Sequence, residues 1–144
     1  MSSENHHATA LGHLRVLDLA TAQIGYFGKI FADLGADVIK VESPQGDPSR
    51  QMAPFAGDLS DPERSLYFLN FNANKRSVAL DLETDAGRAS LSQLASGADV
   101  LVESYTPGYL DSLGVGYDAL KQGNPALVFA SITPFGQTGP YAKF

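Results

Sequence analysis

The chain has 144 residues, and its ten Lys and Arg against sixteen Asp and Glu leave a formal net charge of −6 at pH 7. A hydrophobic share of 44% supports a folded core rather than disorder, and the acidic balance with scattered basic residues argues against nucleic acid as a partner. The absence of cysteine excludes a disulfide scaffold and thiolate chemistry, and no apolar stretch reaches the roughly 20 residues that span a bilayer. A soluble protein of the cytoplasm is expected, with no membrane partner.

Residues 1–12 read as a flexible leader. His6, His7 and His13 lack the i, i+4 spacing and the Cys partners of a metal site, so no metal ligand is assigned. The stretch from Arg15 to Glu42, RVLDLATAQIGYFGKIFADLGADVIKVE, then reads as strand, Gly-containing turn, helix and second strand. Val16, Leu17 and Leu19 form an apolar run interrupted by Asp18, and an acid inside a buried run needs a partner. Ile24, Phe27, Ile30, Phe31 and Leu34 recur at helical spacing as the apolar stripe of an amphipathic helix, which Gly35 stops. Val38, Ile39 and Val41 resume an extended pattern. The unit is βαβ, and ligands of open parallel sheets bind beyond the carboxyl ends of the strands, which points to the Ala20–Tyr26 turn.

Ser43 to Ser65 is an irregular stretch with four prolines, longer than ordinary connections and therefore expected to be functional or disordered. The apolar LYFLNF segment that follows receives no element. A polar NANKRS turn leads to a strand over Ser77–Leu82. Thr84 caps a helix with Leu91, Leu94 and Ala95 on one face and Gly97 as its stop. A strand over Asp99–Glu103, a Tyr105–Gly108 turn, short helices over Tyr109–Leu113 and Tyr117–Gln122, and a strand over Leu127–Ile132 complete the pattern, before a loop reading PFGQTGPY. Five strands interleaved with helices predict an α/β fold, a mostly parallel sheet flanked by helices.

The chemistry is less explicit. The first turn, AQIGYFG, carries Gly25 and Gly28 only, without the glycine triad of a dinucleotide site, and no Walker loop is present. Ser104 is not in a G-x-S-x-G elbow, and no His follows it. Asp18, Glu42, Asp81 and Glu103 end strands; solvation, or bonding to neighbouring loop amides, is favoured over a paired-carboxylate site. Gln23 offers an amide to a ligand at the first turn. Tyr105 could stack on an adenine ring or pack against the Pro107 turn. Lys75 and Arg76 could meet phosphates, although a solvated charged turn is the commoner outcome.

Several phrases in fixed order carry a resemblance: LGADVIKVE, NKRS-x-x-LDL, ADVLVE-x-x-x-PG, NP-x-LV-x-x-SI and GQTGPY. From Leu11 onward the chain resembles the N-terminal region of class III CoA-transferases, the formyl-CoA, carnitine and bile-acid CoA-transferase family. The resemblance implies a Rossmann-like CoA-binding large domain, of which residues 13–144 are the N-terminal part. It implies coenzyme A and acyl-CoA as substrates, a carboxylic acid acceptor, no covalently bound cofactor and an interlocked homodimer in full-length members. Catalysis runs through an aspartyl anhydride, and that aspartate is expected beyond Phe144, together with the small domain and the C-terminal return of the large domain. By position, Ala22, Gln23, Leu80, Ser104 and Tyr105 match CoA-binding residues. Ser43, Glu83 and Ser112 stand where some members place cations against the CoA phosphates, leaving Lys75, Arg76 or residues outside the chain to substitute. A stand-alone, non-catalytic CoA- or nucleotide-binding module is the alternative.

Overall fold

In the computed structural model, which describes residues 9–142 and Phe144 apart from the side chain of Gln23, the five apolar runs form one sheet. Its strands are β1 (Arg15–Leu19), β2 (Asp37–Glu42), β3 (Arg76–Ala79), β4 (Val100–Glu103) and β5 (Val128–Ser131). They lie in the order β3-β2-β1-β4-β5, and every neighbouring pair is parallel. Helices α1 (Gly25–Asp33), α2 (Leu66–Asn72), α3 (Asp85–Ala95), α4 (Tyr109–Ser112) and α5 (Tyr117–Gly123) connect and cover them. This is the Rossmann-like α/β architecture expected. His6 and His7 lie outside the described residues.

Burial on both faces explains why β1, β2 and β4 read as nearly continuous apolar runs. Side chains alternate across the sheet, so Leu17, Leu19, Ile39, Val41 and Leu101 face α3, α4 and α5 and pack with Leu91, Ala95, Leu110 and Leu120. Val16, Val38 and Val100 point the other way, toward Ala32 of α1, Ala36, Phe27 and Phe31. Residues 9–12, part of the expected leader, are fastened to this face. The Leu11 amide donates to the Leu34 carbonyl at 3.0 Å, and its side chain joins the same cluster.

One row further along each strand, the α1 face changes character. Asp18 and Lys40 are register partners on β1 and β2, and Val102 flanks Asp18 on β4. Asp18 is fully buried and Lys40 nearly so. The helix above them buries only part of the expected stripe: Phe27 and Phe31 pack half-buried, Ile30 and Leu34 are exposed, and the buried positions are Gly25, Gly28 and Ala32. Small residues let α1 settle closely on the charged row. A Cβ at Gly28 would overlap the Asp18 carboxylate, so this glycine answers a close approach rather than a turn.

The LYFLNF segment is helix α2, capped by the Ser65 hydroxyl, which accepts from the Phe68 amide at 3.1 Å. The same hydroxyl group lies 2.6 Å from the Met52 carbonyl, to which it donates. The preceding stretch is therefore ordered, with 3-10 turns at Pro48–Gln51 and Ala56–Asp58. Its centre is Arg50, which lies 3.8 Å from the Phe68 ring centroid and bonds Glu42 at 2.6 and 2.9 Å and Glu63 at 2.7 Å. Thr84 caps α3 as expected, accepting from the Gly87 amide at 3.1 Å.

Gly28→Ala is expected to destabilise the fold by about 1–3 kcal/mol through overpacking against Asp18. Gly123→Ala, at a helical position with open space around it, should be neutral or slightly stabilising. Urea unfolding of both variants beside the parent chain measures the contrast; equal stabilities would remove the close-approach constraint.

Candidate functional site

From β1 the chain adds β2 and β3 on one side, then returns to place β4 on the other, so the connections diverge between β1 and β4. The crevice beyond the carboxyl ends at such a switch point is where parallel sheets hold ligands. Four connections meet along this rim: the turn after β1, the Ser43–Gln45 segment after β2, Leu80–Glu83 after β3 and Ser104–Tyr109 after β4.

The turn after β1 is pinned from several sides. Ala22 begins a 3-10 turn over Ala22–Ile24 with φ +47°, a left-handed conformation that costs a non-glycine residue roughly 1–2 kcal/mol. The Thr21 amide donates to Ser104 Oγ at 3.0 Å, so Ser104 stitches the loops after β1 and β4 together at the switch point. The Lys40 ammonium donates to the Ala20 carbonyl, and Lys75 Nζ donates to the Gly25 carbonyl at 2.8 Å. Gln23 lies on this turn; its side chain is outside the described residues.

The acids that end the strands share one device. The Ala20 amide donates to Asp18 Oδ1 at 3.0 Å, the Glu83 amide to Asp81 Oδ1 at 3.1 Å, and the Tyr105 amide to Glu103 Oε2 at 2.6 Å. The Asp47 amide does the same to Glu42 Oε2 at 2.8 Å. Each carboxylate thus holds the loop that leaves its own strand. Burial disfavours charge on Glu42, but hydrogen bonds from Arg50, Ser77 and the Asp47 amide outweigh it and hold the carboxyl down at about 2.

Two of the sequence-matched residues line one cleft. Leu80 and Tyr105 line a cavity of about 200 Å³ together with Ser43, Gln45, Glu83 and Tyr109. The Tyr105 ring lies 4.9 Å from the Tyr109 ring at 45°, so part of its surface is taken by an aromatic neighbour rather than by the Pro107 turn alone. Burial, with Tyr109 and Glu103 nearby, pushes the Tyr105 phenol up to about 12, and it stays neutral across the physiological range. A second cavity of about 220 Å³ runs on from Tyr105 past Ser104, Thr106, Pro107 and Thr133. Ala22 joins the group through Thr21 and Ser104 rather than by lining either cavity.

The charges around the cleft depart from the phosphate-binding expectation. Glu83 faces it and accepts from the Tyr109 hydroxyl at 2.6 Å. Ser112 lies on α4 with its hydroxyl donated to the Tyr109 carbonyl and lines neither cavity. Lys75 is not a solvated phosphate ligand: its side chain is 1% exposed and pairs with Asp18 at 2.6 Å. Burial moves its pKa below the usual lysine range despite the neighbouring carboxylate. Arg76 sits at the opposite, amino-terminal end of the sheet, where it bonds Asp37 at 2.6 Å beside Arg15. Lys75 is held instead by a buried aspartate, while Arg76 stays solvated as the charged-turn reading favoured, paired with Asp37 at the start of β2.

Lys40, Asp47 and Arg50 carry the rim and were not singled out by sequence reasoning. Lys40 pairs with Asp47 at 2.8 Å, each side chain 2% exposed. A signal was present: Lys40 interrupts the apolar run of β2 as Asp18 interrupts that of β1, at the same parity. Among the described residues no group of three or more His, Cys, Asp or Glu is arranged to hold a metal ion, and no helix is long and apolar enough to cross a membrane.

Comparisons with known proteins agree with this fold. Residues 11–144 match the family model described as CoA-transferase family III. The chain is 52% identical over 131 residues to the succinyl-CoA:(R)-benzylsuccinate CoA-transferase subunit BbsE of Thauera aromatica, covering 90% of this chain and 32% of that protein. It is 43% identical over 138 residues to a formyl-CoA:oxalate CoA-transferase of Streptomyces coelicolor, covering 95% and 32%. The fold superposes on the crystal structure of a CAIB/BAIF family protein from Brucella suis with a TM-score of 0.85 and 42% identity, over 94% of this chain and 36% of that one. Rv3272 from Mycobacterium tuberculosis gives a TM-score of 0.85 at 37% identity, over 95% and 38%. The chain therefore spans about a third of the length of the curated relatives it matches.

The depressed Glu42 pKa fixes the sign of an acid response. Its stabilising contribution is full above the ordinary value of 4.5 and is lost as pH falls through about 2. Urea midpoints of the chain should drop across that window, and the drop should be smaller in Glu42→Gln. Parallel pH profiles for the two proteins would remove Glu42 as the group responsible.

Proposed function

The chain belongs to CoA-transferase family III, and on that basis we propose that it supplies the coenzyme A platform of an enzyme that moves CoA from an acyl-CoA to a carboxylic acid. The observation that carries the reading is the cleft beyond β2, β3 and β4, where Leu80 and Tyr105, two residues matched to CoA contacts, come together. Tyr105 presents an aromatic surface for the adenine, and the switch-point turn of Ala22 and Gln23, tied to Ser104, leads toward the reacting end. Two of the relatives described above are named for (R)-benzylsuccinate and oxalate, both dicarboxylic acids, so the acceptor proposed for this site is a dicarboxylate.

In this reading an aspartate carboxylate attacks the donor thioester carbonyl and expels CoA as its thiolate, forming a mixed anhydride. The thiolate then attacks the aspartyl carbonyl, releasing the donor acid and leaving an aspartyl-CoA thioester. The acceptor carboxylate attacks that thioester and expels the thiolate again. Attack of the thiolate on the acceptor carbonyl of this second anhydride gives the acceptor's CoA thioester and frees the aspartate. The nucleophile is supplied from outside these 144 residues. In support, the strand-end acids of this chain are already engaged: Asp18 by Lys75 and the Ala20 amide, Glu42 by Arg50 and Ser77, Asp81 and Glu103 by loop amides. A carboxylate that accepts several hydrogen bonds or an ion pair, as Asp18 and Glu42 do, is a poor nucleophile. With Lys75 and Arg76 committed elsewhere, cations for the CoA phosphates come from another segment or from a second subunit of a homodimer, in the cytoplasm.

Calorimetric titration of CoA into the purified chain should show binding, which Tyr105→Ala weakens by about 1–3 kcal/mol, the range of a base–aromatic stack, while Tyr105→Phe retains it. Glu83→Gln should tighten CoA severalfold by removing a carboxylate from the cleft. Absence of CoA binding would overturn the platform reading. The chain alone, given succinyl-CoA and a dicarboxylic acid, should produce no new thioester; turnover would show that its own carboxylates suffice.

A further inference from the structure

The two buried lysines on the α1 face act on opposite ends of one turn. Lys40 donates to the carbonyl of Ala20, where β1 ends. Lys75 donates to the carbonyl of Gly25, where α1 begins. Between them lies Thr21–Ile24, with Ala22 left-handed at φ +47°. Both ammonium groups are themselves fixed. Lys40 is paired with Asp47 of the segment after β2, and Asp47 is held through its own oxygen by the Ser49 amide at 2.8 Å. Lys75 is paired with Asp18 and bonded to Asn72 Oδ1 at 2.9 Å, at the end of α2.

We propose that Lys40 and Lys75 are positioning residues for the turn after β1, a two-point clamp that holds its terminal carbonyls and maintains the left-handed Ala22 between them. The functional consequence rests on the reading of that turn as part of the CoA site. Neither lysine reaches the rim; each acts through a backbone carbonyl. Lys40 also ties the turn to the Ser43–Gln45 wall of the cleft, because Asp47 and Glu42, which anchor that wall, lie in the same network. A ligand spanning turn and cleft would thus meet two walls whose spacing is set by one ammonium group.

The test uses the 144-residue chain. Single replacements leave a buried carboxylate unpaired and risk unfolding, so charge-neutral pairs are used: Lys40→Met with Asp47→Asn, and Lys75→Met with Asp18→Asn. Asparagine keeps the oxygen that accepts the Ser49 or Ala20 amide. Amide hydrogen exchange by NMR reads the turn through Thr21, bonded to Ser104, and Ile24, bonded to the Thr21 carbonyl at 3.2 Å. Leu17 and Leu101 report the core.

Exchange at Thr21 and Ile24 is expected to accelerate about tenfold or more in each pair while the core amides keep their protection. CoA affinity should fall in proportion to the fraction of time the turn leaves its competent geometry, about tenfold when that fraction is nine-tenths. Unchanged exchange at the turn in a folded pair variant overturns the proposal. Uniform acceleration of turn and core overturns it as well, since the lysines would then act on global stability alone. Selective acceleration at the turn, in a chain whose parent shows no CoA binding, upholds the clamp and overturns the ligand reading.

Discussion

A carboxylate buried near the carboxyl end of the central strand is the constraint to which much of this structure answers. Asp18 has no solvent, and a charge so placed must be matched or neutralised. Lys75 matches it from 57 residues away in sequence. To deliver that ammonium group the chain needs α2 to end at Asn72, Asn74 to turn in the left-handed region, and α1 to leave room with Gly28. Lys40, one strand over, repeats the arrangement with Asp47. Such pairs contribute little to net stability compared with an apolar core, yet removing one partner is destabilising by about 3–5 kcal/mol. Their value lies in specifying where the connections sit.

That constraint also separates what the sequence revealed from what it hid. The strands were legible because apolar runs bounded by glycine and proline have few other uses, and α3 because Thr84 and Gly97 bracket a clear stripe. The LYFLNF helix was not, since apolar residues at nearly every position carry no period; only the Ser65 cap distinguishes it, and a serine before an apolar run is a weak signal. On α1 the visible stripe misled. Phe27 and Phe31 are half-buried at its flank, while the true contact face is made of glycines and an alanine, which carry no hydrophobic signal. Lys75 lay in a polar turn and looked solvated because its partner is remote in sequence.

The site was legible mainly through resemblance. Periodicity located the carboxyl rim, but nothing in the spacing of Leu80 and Tyr105 announces that they share a cleft; the parallel order β3-β2-β1-β4 puts the loops after β3 and β4 on one rim. Composition likewise did not disclose that the strand-end acids are structural. Each binds the backbone of the loop that follows it, so the same residue type that could serve as a nucleophile instead shapes the rim on which a ligand rests. The acidic character of Glu83 beside two tyrosines sets this cleft apart from one built to neutralise phosphate by itself.

The two ends of the sheet are held by chemically different bonds. At the amino end Asp37 bridges Arg15 and Arg76 in the open, with 49% and 64% of the two arginine side chains accessible. At the carboxyl end the pairs of Asp18 with Lys75 and Lys40 with Asp47 are sealed from solvent. Mobile ions screen exposed charges over about a nanometre and reach buried ones far less. Rising ionic strength therefore weakens the pairs at the strand starts before it reaches the two sealed pairs beneath the ligand-facing rim. The protein carries its salt-sensitive seam on the side away from its site.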